Sequence, residues 1–473
     1  MKNHEMRNLD LTQGIIWKQI LYFVVPLILT ALLQQAYNTV DLLIVGNLSD
    51  SLSMAAIGAT ASLIFMMLGL FMGLATGASV VVAQAFGAKD SPKTSRAVHT
   101  TYALALLSGL FLTVFAWFAA PFVLDRMGTP PEIFQEALVY TRIYFLGSIP
   151  LLIYNMGTGI LRAVGDSRSP LVYLIISTIT NIVLDLIFVG PLNMRAAGAA
   201  WATFIAQCLT SLLLTVNLMN TEGLHRLDLH QVRVYKEELK EIVSIGLPAG
   251  IQSALISFSN VLIQSRINSF GHEAIAGISA ANRYDGFMMV GLNSFMMAST
   301  TFTGQNIGAK KVDRLKQGAR TTTFLGVGFS VVMSIILLIF GRPLMGLFSQ
   351  DPSVIEYGYG KILIYAPFHW IFTSAQVLSG VIRGAGQSLY PMLVSIFCMV
   401  GIRTLWNYPI AHFFQEIPRL ADFGASINLV HWSYPVSWVI TFACVWFYYR
   451  TQHWLPENLR HLYHQVDTGE SSQ

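Results

Sequence analysis

Twelve long apolar stretches, separated by short polar segments, run through almost the whole chain. Each holds about 20 residues or more, the length that an α-helix needs to cross the hydrocarbon core of a bilayer. Only 11% of the residues are charged, against roughly 25% in an ordinary soluble domain. We therefore predict an all-α integral membrane protein with twelve transmembrane helices. The predicted spans are residues 16–45, 53–85, 97–120, 134–160, 170–189, 196–219, 240–270, 274–305, 318–341, 354–381, 391–414 and 425–449.

The 29 lysine and arginine residues are divided unequally between the segments that join these spans. If the N-terminus is cytoplasmic, most of them fall on the cytoplasmic side, as the positive-inside rule requires. A minority, including Lys361 and Arg403, is assigned to outer segments and helix ends. We therefore predict a multi-pass protein of the cytoplasmic membrane with both termini in the cytoplasm, which an even number of spans also demands.

Two motifs occur twice at one constant displacement along the chain. Residues 84–89 return as residues 305–310, with Gln, Gly, Ala and Lys in the same places. Arg162 returns as Arg383 at the same displacement. The chain therefore consists of two duplicated halves.

Each half contains six spans, an even number, so the two repeats must be parallel, related by a pseudo-two-fold axis along the membrane normal. We predict an N-terminal six-helix lobe at residues 1–225 and a C-terminal lobe at residues 226–473. Repeats of this kind are typical of secondary transporters, with a substrate path between the halves.

Three acidic residues, Asp41, Asp185 and Asp285, lie well inside apolar spans. A carboxylate at the centre of the bilayer costs about 2.5 to 3.5 kcal/mol, so each is a candidate for function. Asp41 ends a helical stripe that also carries Tyr37, and Asn181 precedes Asp185 by one turn. The whole stripe on the first span comprises Gln34, Tyr37, Asn38 and Asp41.

Asp41 and Asp185 are predicted at similar depth in the outer half of the N-terminal lobe. Two carboxyl groups in a poorly hydrated site raise each other's proton affinity. Their oxygens, with those of Asn181 and Tyr37, are also hard ligands for a small cation. The pattern therefore predicts a proton or cation site. A network of hydrogen bonds that merely holds the helices together remains the alternative.

Asp285 follows Arg283 on the eighth span, close to Met288 and Met289. Unbranched thioethers can line a cavity that accepts many shapes. We predict that Asp285, Met288 and Met289 contribute to a substrate cavity, together with Gln34 and Asn38. A structural ion pair between Asp285 and Arg283, and core packing by the methionines, remain alternatives.

Signals for other classes of protein are missing from the sequence. The net charge of +4 is spread over the loops, so we expect no nucleic-acid partner. The sequence contains no phosphate-binding loop, zinc-protease motif or serine-hydrolase motif. We expect no enzymatic activity, no catalytic residues, no metal site and no cofactor beyond a coupling ion. His369, His412 and His431 are interpreted as ordinary core or interface residues.

The chain resembles the multidrug and toxic compound extrusion (MATE) family in the segments already quoted, together with Pro26 and Gly46. The resemblance extends over about residues 10 to 450. It implies a twelve-helix, two-lobed exporter of amphipathic, often cationic compounds, coupled to H⁺ or Na⁺ and alternating between outward and inward access.

The chain is most similar to the prokaryotic DinF-type branch of that family, whose ion site lies in the N-terminal lobe. This resemblance implies that Pro26 is a hinge in the first helix. Acidic residues on spans seven and ten, typical of another branch, are missing from the apolar parts of those spans. The implied cation or proton site consists of Tyr37, Asp41, Asn181, Asp185 and Thr203.

The expected partners are small amphipathic substrates and the lipid bilayer, and we expect a monomer. Two alternatives to drug export stay open. One is a flippase of lipid-linked precursors from the same superfamily, and the other is an intramembrane enzyme that uses the aspartate pair. Duplication and the missing nucleophile motif argue against the enzyme.

Overall fold

The computed structural model of the chain describes residues 9–49, 51–417, 420, 422 and 425–460. Side chains at positions 38, 42, 51, 61–63, 65–67 and 70 lie outside the described part. Throughout the described residues the secondary structure is helical, with no β-strand. The fold is therefore all-α, as predicted.

In the part of the chain that the structure describes, fourteen long helices, α1 to α14, account for the twelve predicted spans. Ten spans correspond to one helix each, and the fourth and tenth spans correspond to two successive helices each. The helices are α1 (Ile16–Leu48), α2 (Ser51–Gly87), α3 (Ser91–Arg126), α4 (Pro131–Leu146), α5 (Ser148–Ala163), α6 (Arg168–Val189), α7 (Arg195–Asn220), α8 (Lys236–Asn268), α9 (His272–Gly308), α10 (Val312–Gly346), α11 (Pro352–Tyr365), α12 (His369–Gly384), α13 (Leu389–Glu416) and α14 (Ile427–Thr451).

Most of these helices have the length and apolarity of a membrane span. By these two criteria alone eight spans qualify among the described residues, or nine when α4 and α5 count as one bent span. The large exposed side chains of these helices are mainly apolar, for example Phe118 on α3 and Phe324 on α10. Such side chains would be costly in water, and a lipid environment accounts for them.

The predicted duplication is visible in the helix boundaries. The starts of α9 to α13 are displaced from the starts of α2 to α6 by the same interval that separates Lys89 from Lys310. α1 and α8 have the same length, 33 residues. Lys89 and Lys310, which follow α2 and α9, both have a left-handed backbone with φ of 56°. The two repeats therefore share their helices and the turns between them.

Two of the spans are broken in the same place of each repeat. α4 and α5 meet at Gly147 with a bend of 47°. α11 and α12 are separated by a 3₁₀ turn at Ala366–Phe368, which contains Pro367. α13 differs from its counterpart α6 because it includes π-helical turns at Ile396–Ile402 and Trp406–Ile410.

The helices form two compact units that do not coincide with the two repeats. The first unit contains Tyr22–Gly250 and the described residues up to Leu11. The second unit contains Thr12–Leu21 and the residues from Ile251 onward. The first unit thus extends past residue 225, where the repeat predicts the boundary. The start of α8 belongs to the first unit, and the start of α1 belongs to the second.

Close backbone packing and ion pairs explain why the start of α8 belongs to the first unit. A Cβ atom at Gly73 would lie 2.3 Å from the backbone nitrogen of Gly250, so α2 and α8 meet where neither has a side chain. Nearer the start of α8, Arg96 Nε donates to Glu238 Oε1 at 2.6 Å. The Glu238 side chain is 2% exposed and that of Arg96 is 39% exposed, so the carboxylate of this pair is buried while the guanidinium reaches the surface.

Hydrogen bonds from two basic side chains to backbone carbonyl oxygens hold the start of α1 in the second unit. Lys311 Nζ donates to the carbonyl oxygen of Thr12 at 2.7 Å. Arg314 donates to the carbonyl oxygens of Gln13 and Gly14 at 2.6 and 2.7 Å. Two basic side chains at the start of α10 therefore hold the segment that leads into α1.

Candidate functional site

Asp41 and Asp185 meet inside the first unit, where α1 faces α6. Asp185 and Asn181 are fully buried, and Asp41 is partly buried. The two carboxyl groups lie close enough for each to act electrostatically on the other. The structure thus brings together the two acids that the sequence predicts as neighbours.

Tyr37 and Thr203 join the acids from α1 and α7. The hydroxyl of Tyr37 donates to Thr203 Oγ1 at 3.4 Å. The carboxyl groups of Asp41 and Asp185 also interact electrostatically with the Tyr37 hydroxyl. Three helices, α1, α6 and α7, therefore contribute to one polar cluster.

Tyr140 and Tyr144 on α4 belong to the same cluster and were missed by the sequence analysis. Their rings are stacked with centroids 6.2 Å apart, and both phenols lie within the electrostatic influence of Asp41. Their i, i+4 spacing places both tyrosines on one face of an apolar helix, and this spacing could have identified them as candidates from the sequence. We call the whole set the acidic cluster: Tyr37, Asp41, Tyr140, Tyr144, Asn181, Asp185 and Thr203.

A cavity of about 320 Å³ borders the acidic cluster within the first unit. Asp41 lines it, whereas Asp185 and Asn181 lie buried behind its wall. Its volume is at the lower end of the range for small-molecule sites, about 300 to 1,000 Å³. Predicted residues in its lining are Gln34, Tyr37, Asp41 and Thr203, and further polar members are Tyr140, Tyr144, Tyr154, Asn155, Ser177, Gln207 and Thr210.

The buried polar atoms of the acidic cluster are incompletely paired. Apart from the contact between the two carboxyl groups themselves, both oxygens of Asp185 and one oxygen of Asp41 have no hydrogen-bond partner among the described residues, and neither has the amide of Asn181. Buried polar groups usually have partners, because leaving one unpaired costs about 1 to 3 kcal/mol. Carboxylate and amide oxygens in this number suit either a proton or a hard cation.

Pro26 lies within α1, one turn beyond Tyr22, where the first unit begins on this helix. Proline lacks an N–H and so removes one hydrogen bond from the helix. Its own carbonyl oxygen accepts a hydrogen bond from Thr30 Oγ1 at 2.7 Å. The side chain of Asn38 is outside the described part, so its predicted place in the cavity stays a prediction.

The second unit contains a different polar cluster around Asp285. His369 Nε2 lies 3.7 Å from Asp285 Oδ1. Lys361 Nζ donates to Asn282 Oδ1, one turn from Asp285 on α9. Lys361 and Arg403 both act electrostatically on the Asp285 carboxylate. We call this set, Asn282, Asp285, Lys361, His369 and Arg403, the mixed-charge cluster.

Lys361 and Arg403 are 2% and 4% exposed, so both lie inside the unit. Their assignment to outer segments and helix ends was wrong. Arg403 Nε donates to Ser437 Oγ at 2.9 Å, and its guanidinium lies 4.5 Å from the centre of the Tyr434 ring. Hydrogen bonds, an aromatic face and Asp285 replace the water that these cations would otherwise need.

The other predicted residues of this region are separated from one another. Arg283 lies over the ring of Phe348 at 5.7 Å, whereas Asp285 lies against His369. Met288 is 1% exposed and packs in the core of the second unit, with Met289 partly buried beside it. Met288 therefore has no surface for a substrate in this conformation.

Within the described residues no group of three or more histidine, cysteine, aspartate or glutamate side chains could hold a metal ion. Cys208, Cys398 and Cys444 form no disulfide.

Comparisons with known proteins give the same picture of the chain. The MatE family model matches residues 26–187 and again residues 248–409, together more than half of the chain. The chain is 29% identical over 443 residues to "Probable multidrug resistance protein YoeA" of Bacillus subtilis (strain 168), covering 92% of this chain and 94% of that protein. It is 23% identical over 412 residues to "Multidrug export protein MepA" of Staphylococcus saprophyticus, covering 84% and 91%.

Solved structures show the same fold. A crystal structure of MATE in the bent conformation superposes with a TM-score of 0.85, covering 93% of this chain and 96% of that chain at 22% identity. The family model matches twice, once in each predicted repeat. The duplication deduced from residues 84–89 and 305–310 is therefore a property of the fold.

Proposed function

Because the chain belongs to the multidrug and toxic compound extrusion (MATE) family, a family of multi-pass membrane transporters and not of enzymes, we propose that it is a cation-coupled antiporter. It exports amphipathic, often cationic compounds across the cytoplasmic membrane by alternating access. The names of its relatives, which refer to multidrug resistance and export, support the substrate class. They favour neither a flippase nor an intramembrane enzyme.

One observation carries the coupling proposal: Asp41 and Asp185 are neighbouring carboxyl groups beside a cavity of about 320 Å³. Two anions at such a site repel each other and lack hydration, so binding of H⁺ or Na⁺ is strongly favoured. The oxygens of Tyr37, Asn181 and Thr203 complete the proposed site.

The proposed cycle uses this neutralisation as its switch. An ion from outside binds at Asp41 and Asp185, and the lost negative charge weakens the attraction for a cationic substrate in the cavity. α1 rearranges near Pro26, where the helix lacks one hydrogen bond. The substrate leaves outward and the transporter returns to inward access. Only a difference in ion affinity between the two states is required.

The available driving force is modest but sufficient. One charge crossing a potential of 100 mV supplies about 2.3 kcal/mol, and a tenfold concentration difference costs about 1.4 kcal/mol. One charge can therefore sustain a gradient of roughly 40-fold. If a monovalent cationic drug is exchanged for one H⁺, the electrical contribution cancels, so the stoichiometry determines the gradient.

The experiment is efflux of ethidium from vesicles that contain the purified protein, with a pH gradient and a Na⁺ gradient imposed separately. We expect one of the two gradients to drive efflux and the other to have no effect. The matched control is the Asp41→Asn, Asp185→Asn double variant, which keeps the shape of both side chains. Equal efflux by this variant and the unchanged protein would contradict the proposed ion site.

We also propose that both termini of the chain lie in the cytoplasm and that the protein is a monomer. Cysteines placed at the exposed Lys89 and Lys310, in a background without the three native cysteines, should react with an impermeant reagent only after cells are opened. A cysteine at Asn193, on the opposite side, should react in intact cells. Reversed labelling would overturn the orientation, and light scattering in detergent tests the monomer.

A further inference from the structure

A basic groove lies on the second unit, away from the mixed-charge cluster. It has a volume of about 690 Å³, and Lys316, Arg320 and Arg450 line it. No acidic side chain is found in its lining among the residues that the structure describes. The groove therefore has the charge needed to hold an anion.

The position of the groove matches that of a lipid head group. Arg320 is in the first turns of α10 and Arg450 is in the last turn of α14, so both charges lie at the same end of the helix bundle. Ser374 and Leu378 of α12 also line the groove between these two helices. Trp446 lies 5.2 Å from the Arg450 guanidinium. A tryptophan next to basic residues is typical of the membrane interface.

Apolar surface continues from the groove along both helices. Phe324 and Ile335 on α10 are 78% and 49% exposed, and Trp446 and Phe447 on α14 are 45% and 66% exposed. Acyl chains can lie against these side chains while a phosphate contacts the arginines. A free inorganic anion would use the charges but leave the apolar surface uncovered.

The basic groove is not a general feature of the repeat. At the displacement that relates the two repeats, His99 is the counterpart of Arg320. His99 is buried, and its Nε2 accepts a hydrogen bond from the backbone N–H of Asp228. Leu218 stands in α7 where Arg450 stands in α14, if the two helices are aligned at their first residues. Ser95 is the counterpart of Lys316, so none of the three cations has a lysine or arginine counterpart in the first unit.

We propose that the basic groove binds one molecule of an anionic phospholipid. The phosphate contacts Arg320 and Arg450, Lys316 adds a third positive charge, and the acyl chains cover the exposed face of α10. Basic pockets between transmembrane helices recognise anionic head groups in this way. The site is distinct from the transport cavity, so its occupancy is independent of the proposed substrate.

The test is native mass spectrometry of the full chain in detergent, titrated with phosphatidylglycerol and, in parallel, with phosphatidylcholine. We expect one phosphatidylglycerol to remain bound and phosphatidylcholine to bind at least tenfold more weakly. The double variant Arg320→Gln, Arg450→Gln should lose about 30-fold in affinity, or roughly fivefold for each charge. Arg320→Lys, Arg450→Lys keeps both charges and should keep most of the binding.

The matched control is the double variant Arg233→Gln, Lys240→Gln, which removes two exposed basic charges from the first unit. It should bind phosphatidylglycerol normally. Equal loss in this control would show a nonspecific charge effect and overturn the site. Displacement of the lipid by millimolar inorganic phosphate would identify a free-anion site instead. A dimer that dissociates in Arg320→Gln, Arg450→Gln would identify a second copy of the chain as the occupant.

Discussion

The acidic cluster of the first unit and the mixed-charge cluster of the second differ in the source of their positive charge. Asp41 and Asp185 are surrounded by phenol, hydroxyl and amide groups. Asp285, in contrast, lies beside Lys361, His369 and Arg403. The cation that we propose for the first cluster would come from solution, whereas the second cluster carries its cations on the chain.

The repeat shows which positions changed between the two clusters. At the displacement that relates Lys89 to Lys310, Lys361 is the counterpart of Tyr140, and Tyr365 is the counterpart of Tyr144. The later pairs, Asn181 with Arg403 and Asp185 with Asn407, fit a displacement that is longer by a single position. The extra position in α13 is consistent with its π-helical turn at Ile396–Ile402, because a π turn takes up one more residue than an α turn.

This exchange supports the proposal that only one of the two repeats binds an ion from solution. Where one repeat has an amide and a carboxylate on α6, the other has a guanidinium and an amide on α13. The exchanges of Asn181 for Arg403 and of Asp185 for Asn407 raise the net charge by two, and Lys361 in place of Tyr140 adds a third positive charge. We infer that ion exchange is confined to the first unit, in agreement with the proposed function.

The largest effect on transport is expected when the carboxylates of the acidic cluster are removed one at a time. Asp41→Asn and Asp185→Asn should each reduce ion-driven ethidium efflux to the rate of protein-free vesicles, because the amide cannot exchange charge. Asp125→Asn, at an exposed carboxylate near the end of α3, is the matched control and should transport normally. Export by either cluster variant at a near-normal rate would contradict the coupling role.

The next largest effect is a loss of stability on removal of Lys361, one of the buried cations of the mixed-charge cluster. Lys361→Met removes one of the two cations close to Asp285 and the donor to Asn282 Oδ1, and should lower the free energy of unfolding by about 2 kcal/mol. The double variant Lys361→Met, Asp285→Asn should be destabilised by about 3 kcal/mol more, because Arg403 then remains buried without a counter-charge. Unfolding in detergent, followed by tryptophan fluorescence, measures both. A double variant as stable as Lys361→Met alone would show that Asp285 does not compensate the charge of Arg403.

Asp285→Asn should have a smaller effect, confined to cationic substrates. If Asp285 contributes to a substrate cavity, as the sequence predicts, loss of its carboxylate should weaken export of cations roughly fivefold, which corresponds to about 1 kcal/mol of electrostatic attraction. Export of neutral compounds and the response to ions should be retained. Efflux assays with paired cationic and neutral dyes measure this difference. A uniform loss together with loss of the ion response would place Asp285 in the coupling machinery.

The smallest effect is expected when the second unit is made to resemble the first. Asn407→Asp restores a carboxylate where the first repeat has Asp185. Since Lys361 and Arg403 already supply positive charge, transport should change less than about twofold, and no new Na⁺ dependence of thermal stability should appear. Stabilisation by Na⁺ in this variant, but not in the unchanged protein, would show that Lys361 and Arg403 do not prevent Na⁺ from binding to the new carboxylate.

The apolar pattern and the constant displacement of the repeat predicted the helices well, because both are properties of single segments. The starts of α9 to α13 follow from those of α2 to α6. The breaks at Gly147 and at Ala366–Phe368 were not predicted. Both interrupt continuous apolar stretches, where hydropathy alone cannot distinguish one straight helix from two.

The candidate site was predicted in part. Asp41 and Asp185 stood out because a carboxylate in an apolar span is costly. Tyr140 and Tyr144 did not stand out, because tyrosine is common in such spans. The residue pattern of one helix also does not show which other helix packs against it. Lys361 and His369 were missed for the same reason. Aligning the repeats residue by residue would have shown Lys361 opposite Tyr140.

The starts of α1 and α8 belong to opposite units, which has a consequence for biosynthesis. The first unit includes residues up to Gly250, so it is incomplete when the ribosome has finished the first repeat. It closes only after Lys236–Gly250, the first turns of the second repeat, have emerged and packed against Gly73. Thr12–Leu21 must in turn wait for α10 to be made. A gene split at the repeat boundary would therefore yield two fragments that each need the other to fold.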